Sequence, residues 1–70
     1  MKAFTVFRPV AGQNFPTFLF VVRARSLAAA KALVASKVAG ETLVFQVRNR
    51  RGPIAAHLAA GAPGTPVFTA

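Results

Sequence analysis

Cysteine, tryptophan, tyrosine and aspartate are absent from this 70-residue chain, and Glu41 is its only acidic residue. Each absence closes a class of chemistry. Without Cys there is no disulfide, no thiol nucleophile and no thiolate to hold zinc. The redox compartment stays open, because a Cys-free chain suits either side of a membrane. One carboxylate cannot supply the pair that general acid/base catalysis uses. A Ser-His-Asp arrangement lacks its Asp, and a metal site would need ligands beyond His57 and Glu41. Neither the phosphate-binding pattern G-x-x-x-x-G-K-S/T nor G-x-G-x-x-G occurs. The expectation is a non-catalytic protein with no metal and no cofactor. His57 reads as an ordinary surface or edge residue.

Long apolar runs are missing too. The longest, Phe18 to Val22, is far shorter than the roughly 18 residues a membrane helix needs. The N-terminus, Met1 to Arg8, has charge but no apolar core segment, so it does not read as a signal peptide. The expected location is cytoplasmic, or within an intracellular or viral assembly. No internal repeat is present.

What remains is an apolar, basic, small chain. Apolar residues make up 54% and charged residues 14%, against about 25% charged in ordinary domains. A domain of this size buries only about 60% of its unfolded surface, so an apolar surplus points to burial between molecules. Self-association or docking on a larger assembly is expected. The net charge is +8, from nine Lys and Arg against one Glu. The basic content is ordinary, and the imbalance comes from the missing acids. Such a chain still attracts polyanions: nucleic acid, or another acidic surface.

The stretch Phe15–Val47 organises the rest. Thr17-Phe18-Leu19-Phe20-Val21-Val22-Arg23 is aromatic and β-branched and reads as a buried strand. Phe18, Phe20, Val22 and Ala24 fall on one face, with Leu19, Val21, Arg23 and Arg25 on the other. Ser26 is an N-cap, Leu27 to Val38 is Ala-rich and helix-forming, and Gly40 is placed to stop the helix. Leu27, Ala30, Val34 and Val38 form its apolar stripe with Leu33 beside it. The opposite face, Ala28, Ala29, Ala32, Ala35 and Ser36, carries no charge and would let a partner backbone approach. Leu43 to Arg48 reads as the next strand. Leu43, Phe45 and Val47 are expected on its core face, and Thr42, Val44, Gln46, Arg48 and Arg50 on the other.

Before this unit, Lys2 to Arg8 alternates as a strand with apolar residues on both faces, ended by Pro9. Val10 to Pro16 is a loop whose Phe15 is expected to cover the core edge, with an exposed contact as the alternative. After it, Asn49-Arg50-Arg51-Gly52-Pro53 reads as a turn, and Ile54 to Leu58 as a short fourth strand. From Ala59 on, Gly and Pro argue against regular structure. Val67-Phe68-Thr69 is apolar enough to dock on the body or on a neighbour.

The expected fold is thus α+β, a single small β-β-α-β(-β) domain over residues 1–58. One helix packs on a three- to four-stranded sheet, and 59–70 is an extended Gly/Pro-rich C-terminal arm. A crossover through the helix would make strands two and three parallel, if they share a sheet. The first functional expectation is nucleic-acid binding, DNA or RNA, by backbone contact. Arg23, Arg25, Arg48, Arg50 and Arg51 would grip phosphates from a basic sheet face and hairpin. Most Phe residues fall on expected core faces, and Phe7, Phe15 and Phe68 are the only ones to test as exposed, so backbone binding is expected and base-specific readout is not. The alternative is a structural or accessory subunit, virus-like in kind, or an inhibitor acting through protein contacts. There Ala28, Ala32, Ala35 and Phe68 would meet the partner or a second copy.

Overall fold

A computed structural model describes residues 1–47 and 64–70. Within them the chain forms β1 (Lys2–Arg8), β2 (Thr17–Ala24), α1 (Leu27–Lys37), β3 (Leu43–Gln46) and β4 (Val67–Thr69). The fold is α+β, with one helix on a four-stranded mixed sheet of order β3-β1-β2-β4. The turn expected at Asn49–Pro53 and the strand expected at Ile54–Leu58 lie outside the described residues.

β1 and β2 pair antiparallel, joined by the loop 9–16. Inside that loop the Gln13 N–H donates to the Val10 carbonyl at 3.2 Å, and Gly12 has φ +81°. A positive φ at the third turn position is what a type II turn demands, and Gly adopts it freely. β3 also pairs antiparallel with β1. β2 and β3 therefore run in the same sense, as the crossover argument expects, but β1 lies between them. With strands on both edges and side chains buried on both faces, β1 is a central strand. This accounts for its imperfect alternation: Ala3, Phe4, Thr5 and Val6 are all buried.

The core lies between sheet and helix: Phe4, Val6, Phe20, Val22 and Ala24 against Ala30 and Val34. Burying each of the larger apolar side chains contributes about 1.5–3 kcal/mol. α1 begins as expected, with the Ser26 hydroxyl accepting from the Ala29 N–H at 3.2 Å. It ends one residue earlier than expected. Val38 is extended (φ −132°), although its N–H still donates to the Val34 carbonyl at 2.9 Å. Leu27 is exposed, where the sequence placed it in the core stripe, and Ala29 packs against the core, where the sequence placed it outside. An Ala-rich helix has little side-chain contrast around its circumference, so its pattern fixes the facing direction poorly.

Two strand assignments are corrected by register. In β2 the pairing shifts between Val6↔Phe20 and Phe7↔Phe18, leaving Leu19 without a partner of its own. This bulge re-aims the strand. Leu19 packs against the helix-side core, while Phe18 meets Phe7 edge-on with ring centroids 5.5 Å apart. In β3 the partners are Val6↔Val44 and Phe4↔Gln46. Val44 thus packs against the helix-side core, with Gln46 on the same side, whereas Leu43 and Phe45 turn away. Alternation divides a strand into two faces without saying which is inside, and a strand apolar on both gives no further clue.

β4 is a strand where Gly and Pro argued against one. It pairs parallel with β2, Val21↔Val67 to Arg23↔Thr69. Pro66 serves as an acceptor only, taking the Val21 N–H on its carbonyl at 3.3 Å. Proline is tolerated at a strand's start for that reason. Phe68 meets Phe20 edge-on at 5.1 Å, so the C-terminal stretch docks on the body of its own chain.

Candidate nucleic-acid interface

The cationic side chains are not spread evenly. β1 begins, and β2 ends, at the same end of the sheet: Lys2 pairs with Ala24 and Ala3 with Arg23. Lys2, Arg23 and Arg25 are all exposed. Arg23 stands on the face turned away from α1, because its neighbour Val22 points into the helix-side core. Lys2 belongs by alternation to the helix side, so the two cations straddle this end of the sheet. Arg25 follows in the bend before the Ser26 cap. β3 runs toward the same end, where the Val47 N–H donates to the Ala3 carbonyl at 2.9 Å. The only acidic side chain, Glu41, precedes Leu43, whose partner is Phe7 near the opposite end. Lys2, Arg23 and Arg25 thus stand at the end of the sheet away from Glu41, whereas Arg8 and Lys37 lie toward the Glu41 end. Arg48, Arg50, Arg51 and His57 lie outside the described residues.

The sheet face expected to be basic is only partly so. Arg23 is on it, but Gln46 is on the helix side, and Thr42 lines a cleft with Val44. That cleft, of about 450 Å³, lies between the second half of α1 and β3, lined also by Lys31, Ala35, Val38, Ala39 and Gly40.

Two further cations are engaged within the fold. Arg8 is half-buried, and its Nη2 donates to the Ala39 carbonyl at 2.8 Å. Lys37 Nζ stands 5.1 Å from the centre of the Phe68 ring. Such a cation–π contact is worth about 0.5–1 kcal/mol at exposed sites. The partner-facing candidates divide. Ala28, Ala32 and Ala35 are exposed, as expected. Phe68, expected to reach a partner, is half-buried against its own Phe20.

The aromatics differ most from expectation. Phe15 is 81% exposed, the alternative to covering a core edge. Phe7 is half-buried between Phe18 and Phe45, with centroid distances of 5.5 and 5.9 Å and interplanar angles near 67°. Phe45, expected in the core, is 52% exposed. The residue the sequence reading missed is thus Phe45. Its signal was the apolar Phe7 on the outer face of β1, which needed a neighbour. Thr5, buried beside this row, donates its hydroxyl to the Phe45 carbonyl at 3.4 Å.

Among the described residues, no three His, Cys, Asp or Glu side chains come together, and no helix is long and apolar enough to cross a membrane. Compared with protein families, curated proteins and solved structures, the chain matches none.

Proposed function

We propose that the protein binds the backbone of nucleic acid without catalysis. The observation that carries this reading is a cluster of three exposed cations. Lys2, Arg23 and Arg25 gather at one end of the sheet, and the single acidic side chain lies toward the other. A cationic end on a chain of net charge +8 draws a polyanion by long-range attraction, and guanidinium forks suit phosphate oxygens. Arg48, Arg50 and Arg51 add three more cations in the segment that follows β3.

Salt dependence tests it. If Arg23, Arg25, Arg48, Arg50 and Arg51 neutralise about five phosphates of duplex DNA, the log–log salt slope is about −4.5, a loss of roughly 500-fold between 50 and 200 mM salt. Replacing Arg23 and Arg25 by Ala lowers the slope by about 2, and replacing Arg48, Arg50 and Arg51 lowers it by about 3. Slopes that stay at the wild-type value in both variants refute the assignment.

A second reading rests on the exposed, uncharged row Ala28, Ala32 and Ala35. It makes the protein an assembly subunit, binding a second copy or a larger complex through this helix face. Light scattering discriminates: a monomer at high concentration that binds no protein partner, together with a steep salt slope on DNA, leaves only the first reading.

A further inference from the structure

We infer that the outer edge of β3 is a dimer interface, where it pairs antiparallel with β3 of a second copy and joins two sheets into one. The inference goes beyond both readings above and rests on neither.

The register fixes which backbone groups lie on that edge. The Val47 N–H donates to the Ala3 carbonyl, and the pairing continues through Phe45↔Thr5 to Leu43↔Phe7. In an antiparallel ladder, bonded pairs alternate with unbonded ones. Val47, Phe45 and Leu43 therefore turn their N–H and C=O groups toward β1. Those of Val44 and Gln46 point outward from a terminal strand, and among the described residues no backbone group takes them. Such a row of donors and acceptors is a template for another strand.

The edge is open and unguarded. Phe45 is 52% exposed, and the cleft lined by Thr42 and Val44 opens beside it. Leu43-Val44-Phe45-Gln46 holds no charge, no Pro and no Gly, and its ladder to β1 has no bulge. Those are the devices that keep an edge from pairing. The opposite edge has them: β4 is three residues long, follows Pro66, and has Lys37 beside its Phe68.

Charge selects the occupant. Two copies of net charge +8 repel each other, so they meet most easily along a margin free of cations, and β3 is one. A polyanion would instead need cations there. Among the described residues, the only cation lining the cleft is Lys31. Antiparallel pairing also adds an attraction. It brings Glu41, two residues before β3, to the end of the second copy where Lys2 stands beside the Ala3–Val47 pair. Both side chains are exposed, and Lys2 lies one strand, about 4.8 Å, behind the shared edge. Arg8, at the Glu41 end, is turned to the Ala39 carbonyl. With a two-fold axis at Phe45, Val44 of each copy bonds Gln46 of the other. The two Phe45 side chains then meet in the closer, unbonded pair. The pairing closes on itself, and the guarded β4 edges stop further growth.

The experiment is sedimentation equilibrium of the whole chain, with amide hydrogen exchange on dilute and concentrated samples. Wild type is expected to reach twice the 7.3 kDa chain mass by about 500 µM and to stop there. Dimerisation is expected to tighten between about 150 and 500 mM salt, because screening relieves the repulsion. That is opposite in sign to the salt dependence of nucleic-acid binding. The Val44 and Gln46 amides are expected to exchange at least about ten-fold more slowly in the dimer, while those of Leu43 and Phe45, already bonded to β1, change little. Gln46→Pro deletes an outward N–H and no bond to β1, and is expected to give a folded monomer. Phe45→Lys sets like charges across the axis and is expected to give a monomer too; it decides the matter if Gln46→Pro does not fold. Ala32→Lys, on the exposed helix face, is expected to stay dimeric. A wild type that remains monomeric at both salt concentrations overturns the inference, as does a mass that climbs past the dimer. A dimer whose Val44 and Gln46 amides are not slowed overturns it without any variant. So does a Phe45→Lys variant that stays dimeric, or an Ala32→Lys variant that dissociates.

Discussion

Arg8 and Gly40 share one small space at the corner between helix and sheet. Arg8 Nη2 donates to the Ala39 carbonyl at 2.8 Å, and a Cβ on Gly40 would stand 2.8 Å from Arg8 Nη1. Gly40 also has φ +89°, in the left-handed region. The helix has already ended at Lys37, so this glycine does not stop it. It turns the chain toward β3 and leaves room for the guanidinium at the end of β1.

Gly40→Ala is expected to destabilise the fold by about 1–2 kcal/mol, the cost of a left-handed L-residue. Most of that loss should persist when Arg8 is also Ala, because the Arg8 side chain can move whereas the backbone angle cannot. A urea-denaturation double-mutant cycle checks it. Full recovery in the double variant would assign the penalty to the contact instead.

Ser26→Ala removes the acceptor for the Ala29 N–H. The expected cost is about 1 kcal/mol, and Ser26→Asn should recover most of it. Thermal melts followed by circular dichroism measure both.

Phe4→Ala is expected to leave little folded protein at 25 °C. Phe4 is fully buried on the central strand, and deleting a core Phe costs about 3–5 kcal/mol. That approaches the lower end of total domain stability. A cooperative melt with an unchanged midpoint would contradict the packing described for β1.

Phe68→Ala should loosen β4 before anything else. It loses the edge contact to Phe20 and the Lys37 cation–π contact, and an aromatic pair alone adds about 0.5–1.5 kcal/mol beyond its buried area. Hydrogen exchange is the readout. The amides of Val21 and Ala70, bonded to Pro66 and Arg23 carbonyls, should exchange faster, while those of the β1–β3 ladder hold.

Much of the architecture was legible in the sequence because local rules agreed there. Ser26 before an Ala-rich run, and aromatic and β-branched runs on either side, gave the order of the first four elements. What was not legible depended on pairing. The bulge opposite Val6 and Phe7 exchanged Phe18 and Leu19 between faces, and no residue type in β2 signals it. The β3 register placed Val44 inside and Phe45 outside, a choice that alternation leaves open. β4 was hidden because Pro66 and its Gly-rich approach look like loop when hydrogen bonding is counted only within the segment. Of the candidate site, the exposure of Arg23, Arg25 and the Ala28–Ala32–Ala35 row followed from simple periodicity. Phe45 did not, because its exposure depends on which way β3 was registered.

The strand order also bears on how fast the sheet can assemble. Among the described residues, only the β1–β2 hairpin and α1 rest on near neighbours in the sequence. Thr5 finds Phe45 across 40 positions, and Val21 finds Val67 across 46, in a chain of 70. Loop closure of that length must precede any reward from pairing. The domain is therefore expected to fold in milliseconds to seconds, with the slow chains of high contact order, despite its small size.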